Sequence, residues 1–257
     1  MVYHVCFESD AQSHYINVLA DSTVLLKGLV ATQNAGSSNP GIYYQVGGGG
    51  RNGDFSDGLG SSATATVNQA LEAAYDARFG TGSWQADQDT QRQDRLTSFY
   101  IPIPRPLPAR DANDPDAPPV GDRIAGMVYS VGPVITGGKI ADRDQYREIY
   151  ADALSAVGAV NAKATTPSER IDGLRLTMLS TGIYSSSLTS AQATSLARDA
   201  ANLILDALIQ AATGPLGEHM PGTILINTSK PTSKEIDAYT YAATQRGLQV
   251  DDDGFVL

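Results

Sequence analysis

Short runs of β-branched and aromatic residues, each followed by a stretch with apolar residues three to four positions apart, constrain this chain more than any other feature. Residues 3–7, 23–26, 29–32, 98–101, 124–131, 174–179 and 223–226 read as strands. The stretch 62–79 reads as a helix with Val67, Ala70, Leu71, Ala74 and Tyr75 on one face and Gly80 as its stop. Residues 142–160 repeat the pattern with Tyr146, Ile149, Tyr150, Ala153, Leu154 and Val157. Thr189-Ser190-Ala191-Gln192 has the spacing of a capping box and opens a helix that buries Leu196, Ala200, Leu203, Ile204, Ala207 and Leu208 before Gly214-Pro215 ends it. A short helix over 10–19 and a last one over 233–245 complete the series. Strands alternating with helices predict an α/β fold whose mainly parallel sheet is covered on both faces. Ligands of such sheets bind beyond the C-terminal ends of the strands.

The chain of 257 residues fits one domain, 1–257. A Pro/Asp-rich stretch at 102–122 reads as a surface excursion, because the strands on either side look like neighbours in one sheet. Residues 215–257 read as a C-terminal strand–helix extension.

The net charge is −10, which argues against electrostatically driven binding to nucleic acid or to an anionic membrane. An anionic ligand would have to be held by backbone N–H groups and helix N-termini. Cys6 is the one cysteine, so no internal disulfide forms. His4, His14 and His219 have no metal-ligand spacing, and no metal or cofactor is expected. No signal-peptide pattern and no bilayer-length apolar run occur, so the expected location is cytoplasmic.

Two glycine-containing loops follow strands. Gly47-Gly48-Gly49-Gly50 offers no side chains for packing, permits positive φ and lets a ligand approach the backbone. Asp54 and Asp57 lie just downstream, as carboxylates that could bind a ribose hydroxyl or activate a water. The second loop is Ser180-Thr181-Gly182-Ile183-Tyr184-Ser185. Its N–H groups and hydroxyls suit a phosphate, and Tyr184 suits a sugar. Together the loops predict a pocket for a phosphate-bearing small molecule. There is no Gly-Lys-Ser/Thr after the glycine run and no Gly-x-Ser-x-Gly, so P-loop and serine-hydrolase readings have no support.

Three segments in order are similar to those of the macro domain family. Residues 29–36, Leu-Val-Ala-Thr-Gln-Asn-Ala-Gly, resemble the family's strand and Asn-containing loop ahead of a glycine run. Residues 127–133, Met-Val-Tyr-Ser-Val-Gly-Pro, resemble its Val-Gly-Pro strand, and residues 176–184, ending Ser-Thr-Gly-Ile-Tyr, resemble its second ligand loop. The resemblance implies a three-layer α/β/α sandwich with a mixed, mainly parallel sheet. It implies binding of ADP-ribose, free or on an ADP-ribosylated protein or small molecule, and hydrolysis from a mono-ADP-ribosylated substrate or, alternatively, non-catalytic reading. On it, Asp10 would bind adenine, Asn34 would face the distal ribose, and Gly47 to Gly50 would line the diphosphate. Residues 180–185 would wrap the phosphates, and Asp54 or Asp57 would take the acidic role.

Overall fold

A computed structural model describes residues 2–9, 28–36, 59, 61–87, 97–104, 124–133, 135–180, 187–228 and 234–257, and among them seven strands are hydrogen-bonded into one sheet. The strands are β1 (His4–Ser9), β2 (Leu29–Gly36), β3 (Ser98–Pro102), β4 (Ile124–Val131), β5 (Ile171–Leu176), β6 (Thr223–Thr228) and β7 (Gly254–Val256). Their order across the sheet is β3-β4-β2-β5-β6-β1-β7. The five inner strands run parallel, and the edge strands β3 and β7 are antiparallel to their neighbours. The sheet is therefore mixed and mainly parallel. β6 sits inside it, between β5 and β1.

Alternation along the strands divides the core in two. On the first face, helices α1 (Ser61–Phe79) and α2 (Ser83–Asp87) bury Val67, Leu71, Tyr75 and Trp84 against Phe99, Ile101, Met127, Tyr129 and Val131. On the second face lie α3 (Arg143–Asn161), α4 (Ser190–Thr213) and α5 (Lys234–Gln245), packed on Val5, Ala31, Val128, Leu174, Leu176, Ile224 and Ile226. Helices on both faces make the three layers of an α/β/α sandwich.

The helix ends follow their local chemistry. Asp142 caps α3 by accepting from the Gln145 amide at 2.8 Å. Thr189 and Gln192 form the reciprocal capping box of α4, and Gly214 follows its last residue. The apolar residues expected inside α3 and α4 are all buried.

One expectation changes, and one strand is additional to those expected. The strand expected over 174–179 ends at Leu176, because the next backbone groups bond to side chains instead of a neighbouring strand. β7 carries no periodic signal in three residues. It depends on Gly254, whose φ of +137° and contact with the Val5 carbonyl leave no room for a Cβ. The helix expected over 10–19, the strand expected over 23–26 and most of the Pro/Asp-rich stretch lie outside the described residues. Among the described residues no helix is long and apolar enough to cross a membrane.

Candidate ligand site at the C-terminal end of the sheet

β2 and β5 are adjacent and parallel, yet the described helices that follow them lie on opposite faces of the sheet. After β2 the next described helix, α1, covers the first face, and after β5 the next helix, α4, covers the second. Strands that part in this way open a crevice beyond their C-terminal ends, where open α/β sheets bind ligands.

A polar network fixes that end of the sheet. Gln33, near the end of β2, is fully buried on the second face. Its amide nitrogen donates to the Ser130 hydroxyl of β4 at 3.0 Å, and its amide oxygen accepts from the Thr177 backbone N–H at 3.0 Å. One side chain thus ties β4, β2 and β5 together where their loops begin. The Ser130 and Ser98 hydroxyls are 2.7 Å apart, and Ser98 donates to the Ile149 carbonyl of α3 at 2.7 Å. A buried polar group is tolerated when its partners are supplied in this way.

The backbone past β5 is bonded to two tyrosines of α3. Tyr150 donates to the Thr177 carbonyl at 2.8 Å and accepts from the Leu179 amide at 2.8 Å. Tyr146 donates to the Leu179 carbonyl at 2.9 Å. Burial pushes both phenols above their ordinary range, so they remain protonated donors at neutral pH.

The chain then turns at Ser180. Its φ of +63° is the one positive value at a non-glycine among the described residues. The Ser180 hydroxyl donates to the Pro133 carbonyl at 2.7 Å and so joins the loop after β5 to the loop after β4. The approach is close. A Cβ on Gly132 would collide with the Ser180 hydroxyl and lie 2.9 Å from Leu179 Cβ.

Asn34 has no exposed surface and lies on the first face, where its amide donates to Met127 Sδ at 3.6 Å. Arg175, 1% exposed, pairs in register with Thr32 and Leu225 on that face. The sheet thus carries a buried cation two residues short of the β5 loop.

Of the residues expected at the site, the structure brings Asn34 and Ser180 to the same end of neighbouring strands. Asp10, Gly47, Gly48, Gly49, Gly50, Asp54, Asp57, Thr181, Gly182, Ile183, Tyr184 and Ser185 lie outside the described residues. Sequence reasoning missed Gln33, Ser130, Thr177, Tyr146 and Tyr150 as shapers of the site. The available signal was a pair of tyrosines four apart in an apolar helical stripe, each with a hydroxyl that burial obliges to find a partner. Among the described residues no group of three or more His, Cys, Asp or Glu side chains could hold a metal ion.

A three-layer sandwich with a mixed sheet and this parting of β2 and β5 defines the class. Within it, the chain has the fold of a macrodomain. It matches the Oceanobacillus iheyensis macrodomain with MES bound at a TM-score of 0.50 and 13% identity, over 94% of this chain and 90% of that one. Two further structures of that macrodomain, a mutant with ADPR and a form with ADP, match at a TM-score of 0.47 each. Their identities are 14% and 15%, over 86% and 85% of this chain and 87% and 84% of theirs. No protein-family model matches the chain, and no curated protein matches it.

Proposed function

We propose that the protein binds ADP-ribose, or a derivative of it, in the crevice between the ends of β2 and β5, and hydrolyses it from a mono-ADP-ribosylated substrate. The observation that carries the reading is the tied pair of loops at the point where the chain parts. Ser180, held in a left-handed conformation, fastens the β5 loop to the β4 loop at the start of the Ser-Thr-Gly-Ile-Tyr segment. A rigid backbone turn suits a diphosphate, because oriented N–H groups bind anions without a basic surface. That matters in a chain with a net charge of −10. The macrodomain fold and the three sequence segments in family order support the choice of ADP-ribose over other phosphates.

In this reading Asp10 holds adenine, and the N–H groups of residues 47–50 and 180–185 hold the diphosphate. Asn34 orients the distal ribose, and Asp54 or Asp57 positions or activates the attacking water. A positioned general base contributes roughly 100- to 10,000-fold. Asp54→Ala and Asp57→Ala are therefore assayed for release of ADP-ribose from a mono-ADP-ribosylated protein. A loss of that size in one variant identifies the base. Unchanged turnover in both removes the catalytic assignment.

One observation favours a second reading, a module that reads or sequesters ADP-ribose without turnover. The Asn34 amide is fully buried and directed at Met127. Calorimetry with ADP-ribose followed by an overnight product assay separates the two. Tight binding with intact substrate leaves the reader alone, and release of ADP-ribose excludes it.

A further inference from the structure

Past the end of β5, the backbone N–H and C=O groups of Thr177 and Leu179 bond to side chains instead of a neighbouring strand. The Thr177 amide is taken by Gln33, and the Thr177 carbonyl and Leu179 amide by Tyr150. The Leu179 carbonyl is taken by Tyr146. Ser180 enters its positive φ directly after this clamp.

We propose that Tyr150 is a positioning residue for the ligand loop: its phenol, bridging the Thr177 carbonyl and the Leu179 amide, sets the backbone from which Ser180 turns. The inference rests on the ADP-ribose reading for its ligand, while the geometry stands without it. A phenol that donates to one carbonyl and accepts from the amide two residues on holds both at a fixed separation. The segment between them is ordered before any ligand arrives. A loop ordered in advance loses less conformational freedom on binding, so the clamp adds to affinity without touching the ligand. Tyr146 supports it from 3.4 Å away, hydroxyl to hydroxyl, and holds the next carbonyl.

The same buried cluster supplies its own control. Tyr239 of α5 is equally buried beside Tyr146 and Tyr150, but its hydroxyl has no hydrogen-bond partner among the described residues. Removing it leaves the loop as it is. Removing the Tyr150 hydroxyl frees two backbone groups at the turn.

The test compares the native protein with Tyr150→Phe, Tyr239→Phe and the core variant Leu208→Ala. It measures amide exchange at residues 177–180 by NMR, with and without ADP-ribose, together with ADP-ribose affinity and thermal unfolding. In Tyr150→Phe the Leu179 amide is expected to exchange about tenfold faster in the free protein, the equivalent of one lost hydrogen bond. ADP-ribose affinity is expected to fall by roughly the same factor. Tyr239→Phe is expected to match the native protein in both. Leu208→Ala is expected to lower the unfolding temperature with affinity intact, which separates positioning from general destabilisation. Native exchange at Leu179 in Tyr150→Phe, or equal losses of affinity in Tyr150→Phe and Leu208→Ala, overturns the proposal. If the native protein gains no protection from ADP-ribose, the ligand reading fails by itself, and exchange in the free protein still decides the role of Tyr150.

Discussion

Helices α3 and α4 lie side by side on the same face of the sheet and have the same three-to-four apolar spacing, but they do different work. α4 buries Leu196, Ala200, Leu203, Ile204, Ala207 and Leu208, a purely aliphatic stripe. The stripe of α3 includes Tyr146 and Tyr150, whose rings pack 5.4 Å apart while their hydroxyls bond the backbone of the β5 loop. One helix holds the fold together. The other also shapes the place where a ligand would sit. Two equally good amphipathic patterns can thus differ in function by a pair of oxygen atoms.

The sharpest way to break this comparison is to cut into α4. Leu208→Ala or Ile204→Ala removes a fully buried side chain from a packed core, and the expected loss is about 2–5 kcal/mol in denaturant unfolding. Affinity for ADP-ribose should survive at temperatures where the variant is folded. An affinity loss as large as that of Tyr150→Phe would mean that the two helices are not divided in this way. Gly132→Ala comes next. The added Cβ meets the Ser180 hydroxyl and Leu179, and overpacking of this kind costs about 1–3 kcal/mol. It should weaken ligand binding as well, because it forces the two loops apart. Unchanged binding in a destabilised Gly132→Ala would detach the loop contact from the site.

The caps give a smaller and symmetrical test. Asp142→Ala at α3 and Thr189→Ala at α4 should each cost about 1 kcal/mol by chemical unfolding. Similar losses would show that the helices differ in what they hold and not in how they begin. A loss confined to one cap would contradict that.

The smallest effect lies on the opposite face. Backbone amides of Trp84 and Gly82 hold the Asp76 carboxylate below its ordinary range. A lowered folded value means that the contribution is complete above the unfolded value of about 3.9 and fades as pH falls through the folded one. The stability gap between native protein and Asp76→Ala should therefore be constant near neutrality and shrink below about pH 4. A gap independent of pH down to acid unfolding would rule this out.

These particulars also explain what was legible beforehand. The α3 and α4 patterns, the capping box at Thr189 and the parallel sheet follow from spacing, which burial enforces along the whole element. The end of β5 did not follow, because Thr177, Met178 and Leu179 have strand-like side chains, whereas the side chains of Gln33 and Tyr150 decide where their backbone bonds go. Asn34 was singled out through motif resemblance, and Ser180 through the glycine-containing turn that follows an apolar strand run. Gln33 and Ser130 were not, because their roles arise only when β4, β2 and β5 stand next to one another. The tyrosines were visible as apolar positions, but helical periodicity does not report what a hydroxyl at the tip will meet.

The central claim is that ADP-ribose sits where β2 and β5 part. Titrating ADP-ribose into labelled protein while following amide chemical shifts tests it directly. The account predicts saturable shifts concentrated at Asn34, at Gly132 and across residues 177–180. Absence of saturable shifts, or shifts confined to another part of the sheet, would contradict it.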